Sequence, residues 1–141
     1  MEKIAVIYWS GTGNTTIMAE EIAKGITSGG AEASVFAVDT FKGNISDYAK
    51  VAFGCPSMGD EVLEEYDFEP FFQDIENSLG GKKIALFGSY GWGDGGWMRD
   101  WQERVLSKNA NLFGDGFMIN ETPDDSGKAK CFEFGKAFSK Y

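Results

Sequence analysis

Residues 4–15, Ile4-Ala5-Val6-Ile7-Tyr8-Trp9-Ser10-Gly11-Thr12-Gly13-Asn14-Thr15, decide the fold. The first six are a near-continuous apolar run, the pattern of a strand buried on both faces. The next six are polar and glycine-rich. Ile17, Met18, Ile22 and Ile26 then form a helical stripe to about Ser28, and Gly29-Gly30 stops it. A fully buried strand, a glycine loop and an amphipathic helix make the first half of a parallel crossover unit.

The same order recurs along the chain. Ser34 to Val38 reads as a second strand, and residues 39–49 as loop with a short helical turn. Val51 to Cys55 is a third strand closed by Pro56, followed by a long acidic loop from Ser57 to Asp67. Phe68 to Leu79 reads as a helix, with Phe71, Phe72, Ile75 and Leu79 at helical spacing. Lys83 to Gly88 is a fourth strand, and Ser89-Tyr90-Gly91-Trp92-Gly93-Asp94-Gly95-Gly96 a second glycine-rich loop. Trp97 to Lys108 is a helix, a fifth strand lies within Leu112 to Asn120, and Asp124 to Ser139 closes the chain as a helix. Strands alternating with helices predict an α/β protein with a five-stranded parallel sheet flanked by helices. With no repeat, linker or low-complexity segment, residues 1–141 read as a single domain.

Composition removes whole classes of function. The chain carries 22 Asp and Glu against 13 Lys and Arg, a formal charge of −9, and has no His. Such a charge repels phosphate backbones and anionic bilayers, so neither nucleic acid nor membrane is an expected partner. Without His there is no Ser-His-Asp or Cys-His site and no His-ligated metal, and no metal site is expected. Cys55 and Cys131 are too few for a disulfide framework or a zinc cluster. They read as buried fillers in a reducing cytoplasm. The N-terminus reads directly as a strand rather than as a signal peptide.

The charge is uneven. Between Val51 and Gly81 there is no Lys or Arg, and eight acids lie there: Asp60, Glu61, Glu64, Glu65, Asp67, Glu69, Asp74 and Glu76. The rest of the chain holds 14 acids against 13 bases.

In parallel sheets of this kind ligands bind beyond the carboxyl ends of the strands. The loops at 10–15, 56–66 and 89–96 all fall there. The first opens a helix, whose free N–H groups and partial positive charge favour an anion. Gly11 and Gly13 permit close backbone approach, and Ser10, Thr12, Asn14 and Thr15 add neutral donors. The P-loop lysine is missing, as is the third glycine of the dinucleotide fingerprint. A neutral donor set suits a phosphate held permanently rather than one being hydrolysed. The competing structural reading is that Asn14 or Thr15 simply caps the helix. Trp92, between two glycines, either stacks on a planar ligand or folds back on the core, and Met58 opposes it. Trp97 and Trp101, one helical turn apart, read as core, and Trp9 as either.

Three segments together resemble the flavin-binding loops of flavodoxins, most closely the short-chain FMN-binding type of anaerobic bacteria. They are Trp9-Ser10-Gly11-Thr12-Gly13-Asn14-Thr15, Gly54-Cys55-Pro56-Ser57-Met58-Gly59-Asp60-Glu61 and Gly88-Ser89-Tyr90-Gly91-Trp92-Gly93-Asp94. The resemblance spans the chain in order and spacing. Flavodoxins are themselves the standard example of a sheet ordered 2-1-3-4-5 with FMN at its switch point.

The resemblance implies a role for each loop. Ser10 to Thr15 hold the FMN phosphate. Pro56 to Glu61 and Ser89 to Asp94 enclose the flavin, with Met58 and Trp92 against its faces. Glu61 accepts from flavin N3–H, and Gly91 to Asp94 meet the pyrimidine edge. The Gly59–Asp60 peptide turns its carbonyl toward N5 when an electron and a proton arrive, a motion that Gly59 makes easy. No role is implied for the fifth-strand region.

The implied function is a low-potential one-electron carrier, not an enzyme. It is expected to be a cytoplasmic monomer that docks on basic faces of reductases and ferredoxin-using enzymes. Eight charges at about 12 Å oppose an added electron by up to about 3 kcal/mol before salt screening. Two rivals share the fold. An FMN-dependent NAD(P)H:quinone-type oxidoreductase needs a substrate pocket, and this chain has no inserted segment to build one. A response-regulator receiver needs acids and a lysine where Ser10, Cys55-Pro56 and Asn120 stand.

Overall fold

Apolar residues alternate between two faces of the strands, and each face collects its own helices. The computed structural model describes residues 1–141. Its strands are β1 (Lys3–Tyr8), β2 (Glu32–Ala37), β3 (Lys50–Gly54), β4 (Lys83–Tyr90), β5 (Asn111–Leu112) and β6 (Phe117–Asn120). Its helices are α1 (Asn14–Ser28), α2 (Phe68–Ile75), α3 (Gly96–Ser107) and α4 (Asp125–Ser139). All strand pairings are parallel, in the order β2-β1-β3-β4-β5, with β6 also beside β4. The expected 2-1-3-4-5 sheet is therefore present, its fifth position shared by β5 and β6.

That split is the main departure from the single fifth strand expected. Ile84 pairs with Leu112 and Phe87 with Phe117, so the fifth position carries two more residues than β4 over the same span. The extra length loops at residues 113–116, where Gly114 takes a left-handed φ of +56°. Gly116 presses on α3: its N–H donates to Gln102 Oε1 at 2.6 Å, and a Cβ there would lie 2.2 Å from Met98 Sδ.

On one face Ala5, Ile7, Val51, Phe53, Ile84 and Leu86 pack against Phe68 and Phe72 of α2 and Trp97, Trp101 and Val105 of α3. On the other Ile4, Val6, Ala52, Ala85 and Phe87 meet Met18, Ala19, Ile22 and Ile26 of α1 and Cys131 and Phe138 of α4. The helices α1 and α4 touch backbone to backbone, since a Cβ at Gly25 would lie 1.9 Å from the Phe132 carbonyl oxygen. Trp97 and Trp101 are core, as expected. Both thiols are buried and unpaired, and burial pushes each up to about 12.

Other boundaries shift for local reasons. The helix expected to reach Leu79 ends at Ile75 and tightens into a 3-10 turn over Glu76–Ser78. The second strand begins at Glu32 and yields to a 3-10 turn at Val38. The strand β4 runs on through Ser89 and Tyr90, placed above in a loop, because they pair with Ile119 and Asn120 of β6.

Candidate functional site

The loop after β1 leaves its backbone donors free. Gly13 occupies the position before α1 with φ +98°, and no side chain caps the helix. This removes the reading in which Asn14 or Thr15 caps it. Thr15 is instead buried, its hydroxyl 3.3 Å from Ser89 Oγ. Ser10 Oγ accepts from the Gly13 N–H at 3.0 Å and holds the loop's shape. The N–H groups of Gly11, Thr12, Thr15 and Thr16 find no acceptor in the chain. Four free donors thus lie in and just before the first turn of a fifteen-residue helix, where an anion would be favoured. The Trp9 ring covers Gly11, where a Cβ would stand 3.0 Å from it.

The loop after β3 is built as a tight turn. Glu61 N–H donates to the Met58 carbonyl at 2.7 Å, and Met58 N–H to the Val62 carbonyl at 3.0 Å. Glu61 itself takes the left-handed φ, +53°, where glycine is usual. Neither Gly59 nor Asp60 is left-handed, and a Cβ at Gly59 would meet nothing within 4 Å. Nothing in this conformation requires glycine at position 59.

The loop after β4 joins the other two. Glu61 Oε1 accepts from the Gly96 N–H at 3.1 Å, so the carboxylate sits at the N-terminus of α3. It lies so close to Gly93 that a Cβ there would be 2.4 Å from Oε1. Arg99 grips Asp94 twice, at its carbonyl (2.8 Å) and its carboxylate (2.9 Å). Asn120 donates to the carbonyls of Tyr90 and Gly91.

Between these loops lies a cleft of about 240 Å³, lined by Trp9, Gly11, Thr12, Asn14, Pro56, Ser57, Met58, Ser89, Tyr90, Gly91 and Glu121. Ten of the residues singled out from the sequence thus meet here, all of the lining but Glu121. Ser10, Gly13 and Thr15 lie outside the lining and hold the first loop through the Gly13–Ser10 and Thr15–Ser89 contacts. Gly59 and Asp60 line a neighbouring depression with Glu64, Glu65 and Tyr66. Trp92 stands 64% exposed and outside the lining, as do Gly93 and Asp94.

Glu121 was missed by sequence reasoning. It follows β6 with φ +58°, and its N–H donates to the Tyr90 carbonyl at 2.7 Å. Thr122 beside it donates to Asn14 Oδ1 at 2.9 Å and closes the cleft against α1. Their signal was position alone: the carboxyl end of the fifth strand falls on the same edge as the other loops.

The residues fit a phosphorylated planar cofactor: free amides for the anion, and Trp9, Met58 and Tyr90 as apolar and aromatic walls. A family model described as flavodoxin matches residues 6–135. The chain belongs to the flavodoxin family. It is 46% identical over 134 residues to the flavodoxin of Clostridium beijerinckii, covering 93% of this chain and 95% of that one. It is 43% identical to the flavodoxin of Megasphaera elsdenii, covering 97% and 98%. The solution structure of the two-electron reduced Megasphaera elsdenii flavodoxin superposes with a TM-score of 0.85 at 40% identity, over 98% of this chain and 99% of that one. This flavodoxin is therefore a small FMN-binding electron-transfer protein of the short-chain bacterial type, a carrier rather than an enzyme. No helix is long and apolar enough to cross a membrane.

The acidic segment of this flavodoxin divides by use. Glu69 and Glu76 clasp Arg104 at 2.7 and 2.8 Å. That hydrogen bond, opposed by partial burial, holds the Glu76 carboxyl below the usual carboxylate range. Glu64 is buried at 3% exposure. Asp60, Glu65, Asp67 and Asp74 are exposed and make no ion pair.

Proposed function

We propose that the cleft holds FMN with its phosphate on the loop Ser10 to Thr15 and its flavin against Met58 and Tyr90. FMN supplies the one-electron chemistry, and the protein holds and tunes it. The observation that carries the reading is the set of unpartnered amides at Gly11, Thr12, Thr15 and Thr16 beside that cleft. Ser10 fixes the loop through Gly13, Thr15 braces it against Ser89, and the Thr12 hydroxyl adds a donor. Glu61, held at the N-terminus of α3, keeps a second carboxylate oxygen for the flavin edge, and Trp92 on its exposed loop swings to the outer face.

The Gly59–Asp60 peptide is the moving part. The turn as it stands makes no demand for glycine, so the freedom of Gly59 serves a second conformation. In that conformation the Gly59 carbonyl would be free to accept a hydrogen bond from a flavin N5–H. Exposed Asp60, Glu65, Asp67 and Asp74 oppose added negative charge on the cofactor and select basic faces on reductases and ferredoxin-using enzymes. The two buried, unpaired thiols suit the cytoplasm, where we place the carrier as a single-domain monomer.

Purified protein should be yellow. Stripped of cofactor, it should bind FMN far more tightly than riboflavin; a colourless protein indifferent to added FMN overturns the reading. Gly59→Val should lower the yield of singly reduced flavin on dithionite titration and leave FMN affinity close to that of the wild type. An unchanged yield would remove the peptide motion from the mechanism.

A further inference from the structure

We propose that Glu64 is a positioning residue: its buried carboxylate and its amide clamp the base of the Met58–Glu61 turn, confining motion to the Gly59–Asp60 peptide. The proposal rests on the cleft being the FMN site.

Glu64 is one acid among eight by sequence, yet it faces inward. Its Oε2 accepts from the Tyr66 N–H at 2.7 Å, and its Oε1 from the Asp67 and Phe68 N–H groups at 2.8 and 2.9 Å. These are the amides that open α2, which has no cap from Asp67 itself. The Glu64 carbonyl accepts a further amide, from Glu69, at 2.9 Å. Charge-assisted bonds to backbone amides are about twice as strong as neutral ones. Burial works against the charge, but the amides of Phe68, Asp67 and Tyr66 outweigh it and hold the carboxyl below its ordinary range.

The same residue reaches the other arm of the turn. Its N–H donates to Cys55 Sγ at 3.4 Å. Cys55 is itself tied to the sheet and to α3: its N–H donates to the Phe87 carbonyl at 3.1 Å, and its carbonyl accepts Trp97 Nε1 at 3.0 Å. Both ends of segment 55–64 are thus fixed to rigid elements at one residue pair. Within it, the Gly59 carbonyl and the Asp60 N–H bond to nothing in the chain. The result is a rigid base with a free tip. The hydrogen-bond change at the tip reaches the flavin undiluted only while the base does not yield.

The test compares two carboxylates of equal charge, Glu64 and its exposed neighbour Glu65, in the FMN-loaded protein. FMN binding by the wild type is measured first. Its failure sinks the FMN reading and leaves the clamp's geometry untouched. In Glu65→Gln the equilibrium constant for forming singly reduced flavin should shift about twofold, the scale of one screened charge. In Glu64→Gln it should fall about tenfold, equivalent to losing part of a charge-assisted hydrogen bond. Equal shifts in the two variants would overturn the proposal. If Glu64→Gln does not fold or load FMN, amide exchange in the wild type decides. Protection at Tyr66, Asp67 and Phe68 should be the same in the oxidised and two-electron-reduced states while the Asp60 amide changes. Loss of protection at 66–68 on reduction would show that the base moves, and the clamp would be wrong.

Discussion

Two loops on the same edge of the sheet use backbone N–H groups in opposite ways. The loop after β1 has no acid, and four amides at Gly11, Thr12, Thr15 and Thr16 stay without an acceptor. The loop after β3 is rich in acid, and Glu64 satisfies three amides at the start of α2. A helix N-terminus needs an anion or a capping oxygen in either case. Where the chain supplies its own carboxylate, the result is a frame. Where it supplies only glycines and hydroxyls, the amides stay open, and this is the place we propose for the phosphate.

The largest test swaps the character of the first loop. Thr12→Asp puts a carboxylate beside the free amides and should repel the phosphate. At about 4 Å and an effective dielectric of 20 this costs about 4 kcal/mol, roughly a thousandfold in FMN affinity. Fluorescence titration of the cofactor-free protein measures it. Riboflavin, lacking the phosphate, should lose far less; an equal loss would mean that the loop does not hold the phosphate.

The converse change empties the frame. Glu64→Ala leaves three amides without their acceptor, two of them open in part to water, and should destabilise the holoprotein by about 3 kcal/mol. Urea midpoints at saturating FMN read it. Because the folded-state carboxyl is depressed, its contribution is present above the unfolded pKa of about 4.3. It is lost as pH falls through the folded value. Glu64→Gln should therefore flatten part of the acid limb of the stability curve, and an unaltered limb would mean the carboxylate is not the acceptor described.

The smallest effect belongs to the exposed acids. Glu65→Gln and Asp67→Asn remove charges that contact nothing and should each change stability by no more than about 0.5 kcal/mol. A loss at either position as large as that at Glu64 would erase the distinction between frame and surface.

Much of this was legible in advance. Buried strands announce themselves by apolar runs, and amphipathic helices by their period, so the five-fold alternation and the family resemblance stood in the sequence. The glycine loop after β1 was readable because glycine and hydroxyl chemistry is local. The interruption between β5 and β6 was not, because it arises where Gly116 meets Met98 and Gln102 of another element. Glu121 was equally hidden: a lone acid in a polar stretch acquires its place only when its N–H reaches the Tyr90 carbonyl.

The sequence by itself determined the order of elements, the edge on which the three polar loops gather and the total charge of the 51–81 segment. Those follow from composition and from periodicities of two and 3.6 residues. Only the tertiary structure decided how that charge is divided. Glu64 and Glu65 are the same residue type side by side, yet one is buried on three amides and the other meets solvent. The difference comes from the direction in which α2 starts, which is set by Phe68 and Phe72 packing on the sheet. Burial is a property of neighbours in space, and adjacent positions in a chain do not share them.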